Sequence, residues 1–188
     1  MLDFVAITQD QLDEIQCKAG WLLKDFNVEN PDVKASDVIC QTTGGVNPSC
    51  APTYLDLGED IDNVPNDTKE LKQIDYWTCL FSFTSVNVSE TFIKLSLGAA
   101  DKDENGKIVP RATLKAEDFT SLWWVGMKIG GGLLAICLKN ALSDSGFSLQ
   151  TAKKGKGQVA CTIKGHTSIT DQSVPMEFYS TTSSDTAS

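Results

Sequence analysis

Two runs that alternate with a period of two residues constrain the fold of this chain more than any other feature. From Tyr76 to Val86, Trp77, Cys79, Phe81 and Phe83 fall on one side of an extended chain, and Tyr76, Thr78, Leu80, Ser82 and Thr84 on the other. From Lys156 to Thr167, Gly157, Val159, Cys161 and Ile163 alternate with Gln158, Ala160, Thr162 and Lys164. Successive side chains of a strand point to opposite faces, so each run predicts a strand with one buried face. Weaker strand signals cover Cys17–Leu23, Val38–Thr42, Phe147–Thr151 and Pro175–Tyr179. Asp118–Met127 and Leu133–Leu142 read as a hairpin turning at Lys128–Gly132. Gly44-Gly45 and Asn47-Pro48 read as breakers. One helix is expected over Asn87–Leu97, capped by Asn87 with Glu90 completing a capping box and stopped by Gly98. Val88, Phe92 and Leu95 then share its apolar face. The fold class this predicts is mainly β, a sandwich- or barrel-like subunit with one flanking helix at about residues 87–98.

Composition narrows the function classes. A chain of 188 residues predicts one domain, over residues 1–179, with a flexible Ser/Thr-rich tail over 180–188. The apolar fraction of 41% is that of a globular protein. A formal charge of −9 argues against a nucleic-acid reader or a binder of anionic membranes. The longest apolar run, Leu133–Leu138, is far short of the roughly 20 residues that span a bilayer. The first ten residues lack a basic region and a long apolar core, so they do not read as a secretory signal. Six cysteines, at 17, 40, 50, 79, 137 and 161, contain no Cys-x-x-Cys, and a single His166 accompanies them. Zinc spacing is therefore missing, and buried or surface thiols are expected; Cys40 and Cys50 are the only pair placed for a local bridge.

Between the strand signals lies an acidic stretch, residues 51–75. It carries seven acidic residues from Asp56 to Asp75 against Lys69 and Lys72, and no clean period. A compact domain rarely holds about 20 irregular residues unless they are disordered or functional. Tyr54, Leu55, Leu57, Ile61, Val64, Leu71 and Ile74 recur through it, which favours burial against a surface, potentially that of another subunit.

The remaining motifs are weak. Asp101-Lys-Asp-Glu-Asn-Gly-Lys-Ile108 matches the start of a calcium loop, with Asp101, Asp103 and Asn105 as candidate ligands. The twelfth position is Ala112 instead of a bidentate Glu, and Pro110 opposes a second helix, so an Asn-Gly turn is the favoured reading. Gly130-Gly-Gly132 lacks a following Lys-Ser/Thr and reads as a hairpin turn. His166 has no Gly-x-Ser-x-Gly nearby, and a surface position is expected. Trp123 and Trp124 point to opposite faces if extended, one into a core and one outward. Lys153, Lys154 and Lys156 read as a solvated loop or as the partner of an acidic segment. No cofactor and no enzymatic activity are expected.

Taken together and in order, several segments resemble the tail tube (major tail) proteins of long-tailed bacteriophages and prophages, notably those of Gram-positive hosts. They are Ala19-Gly-Trp-Leu-Leu-Lys-Asp-Phe26, Thr42-Thr-Gly-Gly-Val46, Leu57-Gly-Glu-Asp-Ile-Asp-Asn-Val-Pro65 and Lys69-Glu-Leu-Lys72. Further on are Leu97-Gly-Ala-Ala-Asp101, Pro110-Arg-Ala-Thr-Leu114 and Phe119-Thr-Ser-Leu-Trp-Trp-Val125, then Lys156-Gly-Gln158, Gly165-His-Thr167 and Val174-Pro-Met-Glu-Phe178. The Met127–Gly132 hairpin departs from the pattern in being short.

The resemblance implies a structural virion protein located in the tail and assembled in the host bacterial cytoplasm. Its subunits form hexameric rings whose inner strands join into one closed barrel, and the rings stack into a conduit for DNA ejection. The implied partners are other copies of the chain, a tape measure protein, a tail terminator and distal tail proteins, with genome DNA passing without sequence preference. No membrane insertion is implied. The acidic stretch becomes an inter-subunit arm, with Tyr54, Leu55, Leu57, Ile61 and Leu71 as anchors and Asp56, Glu59, Asp60 and Asp62 as a polar rim. Thr78, Ser82, Thr84, Gln158, Thr162 and Lys164 become candidates for the lumen wall. The net charge, multiplied around a ring, then predicts a wall that repels phosphates over the screening length of about 8 Å. Competing readings are the inner tube of a contractile tail, bacteriocin or secretion machine, a monomeric carbohydrate-binding sandwich using Trp123 or Trp124, and an all-β hydrolase using His166.

Overall fold

A computed structural model describes residues 7–182 of the chain. It is mainly β and built around one large antiparallel sheet. A short helix, α1 (Gln9–Asp13), capped by the Thr8 side chain, precedes β1 (Gln16–Leu23). Then come β2 (Thr42–Asp56), β3 (Lys72–Ser85) and helix α2 (Glu90–Leu97). A small hairpin, β4 (Ala100–Lys102) and β5 (Ile108–Pro110), leads to β6 (Thr120–Lys128) and β7 (Leu133–Ser143). The last elements among the described residues are β8 (Leu149–Gln150), β9 (Gln158–Lys164) and β10 (Met176–Ser180).

The strand order is β1-β6-β7-β9-β3-β2, with β10 also pairing β7 and β8 also pairing β9. β7 is the fold line. Its first part pairs β6 and β10, whereas Leu142 and Ser143 pair Lys164 and Ile163 of β9. The sheet bends there, and its two halves share one core. Leu22, Leu122, Trp124, Ile136 and Leu138 from one half meet Cys79, Phe81, Phe83, Val159, Cys161 and Ile163 from the other. The buried positions of β3 and β9 are those predicted by their alternation. Helix α2 adds Phe92 to this core, with its ring 6.3 Å from that of Phe83.

The β1-β6-β7-β10 half is buried on both faces. Its second face carries Leu23, Val125 and Ala135, covered by Phe26, Val28, Val33 and Val38 from the segment that follows β1. Trp123 lies in this layer, between Phe26 at 5.8 Å and Tyr179 at 5.6 Å. Double burial explains the unbroken apolar run Leu122–Val125 in β6. The opposite facings predicted for Trp123 and Trp124 hold, but neither ring faces outward as a free platform: Trp124 is in the main core and donates Nε1–H to the Ala19 carbonyl at 3.1 Å.

At Gly20, the register of β1 against β6 shifts between Cys17 and Trp21. Gly20 has φ +72°, and a Cβ there would sit 2.6 Å from the Val125 carbonyl oxygen and 2.8 Å from Trp124 Nε1. Gly20→Ala therefore strains the backbone and clashes with a fixed carbonyl at once. The expected cost is about 2 kcal/mol or more, read as a lowered denaturant midpoint; an unchanged midpoint would show that the bulge relaxes freely.

Several boundaries differ from expectation, each for a physical reason. Strand β2 runs through both supposed breakers. Gly44 and Gly45 adopt φ +77° and +81° and form a bulge between Thr43 and Val46. Pro48 and Pro52 are tolerated because β2 pairs only β3 among the described residues, so an absent N–H on its other side removes no ladder bond. The strand expected at Val38–Thr42 reduces to a bridge from Val38 to Leu23, and Thr42 opens β2. Helix α2 is capped by Ser89, whose Oγ accepts from the Phe92 N–H at 3.2 Å. Asn87 instead accepts from the Gln41 N–H at 2.6 Å, tying the helix entry to β2, and Val88 lies outside the helix and is exposed. Gly98 ends the helix at φ +74°. Ser180 closes β10, and the Thr181 N–H bonds the Leu133 carbonyl. The rest of the tail expected over 180–188, residues 183–188, and the first six residues lie outside the described residues.

Candidate assembly surfaces

The acidic stretch is a long β-hairpin whose irregular part is confined to residues 57–71. Its flanks are strand: Tyr54 pairs Ile74, Leu55 pairs Gln73 and Asp56 pairs Lys72. The period was obscured by a second register shift between Thr53 and Tyr54, which leaves Asp75 without a partner across the ladder. The tip is a folded structure in its own right. Asp56 Oδ1 accepts from the Gly58 N–H and Oδ2 from the Asp67 N–H, both at 2.9 Å. The Leu57 N–H bonds the Leu71 carbonyl at 3.0 Å, and Lys72 Nζ reaches Asp67 at 2.6 Å. The Gly58 and Asp67 amides, aided by Lys72, hold the Asp56 carboxyl below the usual carboxylate range. Protonation in acid withdraws both amide contacts.

This reassigns the arm residues. Asp56 is an internal tie of the tip. Leu71 is half-buried against Gly58. Glu59, Asp60 and Asp62 are exposed, as are Leu55, Leu57 and Ile61. Tyr54 (55% exposed), Ile74 (51%) and Tyr76 (55%) form an apolar group on paired positions of the hairpin, with Lys72 Nζ 5.4 Å from the centre of the Tyr54 ring. The chain thus presents aliphatic and aromatic side chains to solvent along an element that extends past its own core.

A second surface is the outer face of the β2-β3-β9 half. Ser82 pairs Thr162, with hydroxyl oxygens 3.4 Å apart, Thr84 pairs Ala160, and Leu80 pairs Lys164. On the other side of β3, Asn47 pairs Ser82, Ser49 pairs Leu80 and Ala51 pairs Thr78. Thr78, Ser82, Thr84, Thr162 and Lys164 therefore share one face, opposite the core, and Gln158 follows on the same side of β9. Two separate stretches of sequence are brought together here by the pairing of β3 with β9. The face is rich in hydroxyls, and Lys164 is the charged residue among these positions. None of them is a carboxylate, so the −9 of the chain is carried elsewhere.

The other candidates are accounted for locally. Asp101, Asp103 and Asn105 lie on the β4–β5 hairpin and do not converge. Asp101 Oδ1 faces Arg111 Nε at 2.9 Å and Lys115 Nζ at 3.2 Å, while Asp103 accepts from the Asn105 and Lys107 N–H groups of its own turn. Among the described residues no cluster of His, Cys, Asp and Glu is placed to hold a metal ion. Arg111 also pairs the nearly buried Asp118, whose carboxyl is held low first by the Lys115 N–H and then by the guanidinium. His166 Nδ1 lies 3.1 Å from the Asn140 carbonyl, and Phe119 packs edge-on to its ring at 5.5 Å. These contacts are neither a nucleophile nor an orienting acid. Lys153, Lys154 and Lys156 are exposed in the β8–β9 turn. All six cysteines are free. Cys40 and Cys50, the pair placed for a local bridge, do not meet: the thiol beside Cys50 is that of Cys79. No described helix is long and apolar enough to cross a membrane.

No protein-family model and no curated protein matches this chain.

Proposed function

We propose that this chain is a self-assembling structural subunit, the tail tube protein of a long-tailed bacteriophage or prophage. The observation that carries the reading is the outer face of the β2-β3-β9 half: a polar, nearly uncharged sheet surface whose outermost strand, β2, is 15 residues long and has no partner on its far side among the described residues. Pro48 and Pro52 withhold N–H donors from the middle of this edge, and the stretches on either side of them have no ladder partner there among the described residues, which leaves them to pair with a neighbouring copy. Edge-to-edge pairing of copies around a closed ring satisfies them, and the polar face then becomes the lining of a hexameric barrel. The other half cannot take that role, because both of its faces are already covered. The arm projects from the same two strands and carries its exposed apolar group to a neighbouring copy. A tape measure protein, a tail terminator and distal tail proteins are the partners at the tube's interior and ends, and genome DNA is the cargo.

The wall chemistry suits a low-adhesion conduit, but by a different route from net charge. A face of hydroxyls and amides with few cations offers phosphates little to bind, whereas carboxylate repulsion is not available from these positions. Ser82→Lys with Thr162→Lys should leave tubes intact and slow DNA ejection at least tenfold at low salt, with the delay shrinking as salt rises. Ejection at the wild-type rate would remove these residues from the lumen. The class itself is tested by concentrating the purified chain, alone and with tail tip proteins as nucleators, and imaging it in negative stain. Filaments with a central channel are expected, and a monomer under every condition would overturn the reading.

A further inference from the structure

Cys50 and Cys79 occupy directly opposed positions in the β2–β3 ladder, and their sulfurs lie 3.2 Å apart. Opposed residues of antiparallel strands have Cα atoms about 4.5–5.5 Å apart, inside the range of about 4.4–6.8 Å that disulfides span. Cys79 is fully buried, but Cys50 borders an open groove of about 730 Å³ between β1 and β2, beside Val46, Pro48 and Trp124. The pair thus has one solvent-reachable thiol and one resolving thiol behind it. It also sits between the two register shifts of the hairpin, the Gly44–Gly45 bulge and the shift at Thr53/Tyr54. A bond at this position would tie the two strands between the shifts, in a ladder where slipping by one residue turns every side chain to the wrong face.

We propose that Cys50 and Cys79 are an oxidisable pair that closes into a cross-strand disulfide when the chain meets a peroxide, pinning the register of the hairpin that carries the arm. Cys50 sulfur attacks a peroxide oxygen, the O–O bond breaks, and Cys50 sulfenic acid and water result. Cys79 sulfur then attacks the sulfenic sulfur, the S–OH bond breaks, and the hydroxyl leaves as water with the Cys79 proton. In total, two thiols and one hydrogen peroxide give one disulfide and two waters. Burial, and then the contact with Cys50, push the Cys79 thiol up, and the groove that Cys50 lines gives a peroxide its access to Cys50 first. In a reducing cytosol the pair remains a dithiol, and outside the cell it closes. The chemistry does not depend on the tube reading, and its failure leaves that reading standing.

The test treats the purified full-length chain with hydrogen peroxide, alkylates the remaining thiols and maps tryptic peptides. The peptide carrying Cys50 also carries Cys40, since no Lys or Arg separates them, so Cys40→Ser and Cys50→Ser chains are mapped in parallel. Expected are two fewer alkylatable thiols than the six of the reduced chain, a link to the Cys79 peptide that survives Cys40→Ser, and its loss in Cys50→Ser. The wild-type chain should melt about 5 °C higher after oxidation and return on reduction. A link through Cys40, a link between chains, or no link overturns the proposal. A Cys50–Cys79 link without a rise in melting temperature overturns the claim that the bond fits the native register.

Discussion

Deleting Gly58 to Lys69 should abolish the tube formation proposed for this chain and leave a folded subunit. The deletion removes the irregular tip but joins Leu57 to Glu70, so that Asp56 still faces Lys72 across a three-residue connection, a length hairpins use routinely. The core is untouched, because none of its residues lies between Leu57 and Leu71. Shortening this connection from residues 57–71 to three residues lowers the closure cost by about 1.4 kcal/mol, in the stabilising direction. The arm's exposed Ile61 and the acidic Glu59, Asp60 and Asp62 go with the tip, whereas Tyr54, Ile74 and Tyr76 stay on the flanks. Circular dichroism and the melting temperature should match the intact chain, and negative-stain grids should be empty of filaments. Normal tubes from the deleted chain would mean that the tip is ordinary surface and that contact between copies lies on the flanks or the β2 edge.

Phe81→Ala unfolds much of what holds the subunit together. Phe81 is 0% exposed and sits mid-strand on β3, between Pro48 of β2 and Ile163 of β9. It is among the largest fully buried side chains of the core where the two halves of the sheet meet. Truncating a buried Phe costs about 3–5 kcal/mol through lost transfer energy and the cavity left behind. Domains of this kind have only about 5–15 kcal/mol in hand. Urea unfolding should show the midpoint lowered by that free energy divided by the slope, about 2 M, with the slope unchanged. A loss below about 1 kcal/mol would show that Phe81 is not central to the core. The same variant separates folding from assembly: tubes lost through Phe81→Ala come with a destabilised subunit, and tubes lost through the arm deletion do not.

What could be read from residues alone follows from burial on one face. β3 and β9 were legible because each is buried on one side and half-exposed on the other, so composition alternates with the pleat. The β6–β7 hairpin was legible from its glycine turn and flanking apolar runs. Where several elements act on the same residues, local signals misled. Glycines and prolines in β2 resembled breakers because nothing local says that the strand is an edge. Asn87 resembled a cap because its capacity to accept a backbone N–H is real, but the donor, Gln41, is 46 positions away. The acidic hairpin resembled an irregular loop because the register shift between Thr53 and Tyr54 changes the phase of its pattern and the tip, 57–71, has none.

The sequence by itself determined the class of structure, the two one-sided strands and the acidic, apolar-studded segment between β2 and β3, since alternation, charge and turn chemistry are properties of neighbouring residues. Only the tertiary structure decided that Thr78, Ser82 and Thr84 share a face with Gln158, Thr162 and Lys164, that Cys50 meets Cys79, that the carboxylates are absent from that face, and that Asp56 is tied inside the tip. Each of these depends on which strand lies beside which and in what register. Register is set by the sum of contacts across the sheet, and no stretch of chain contains that sum.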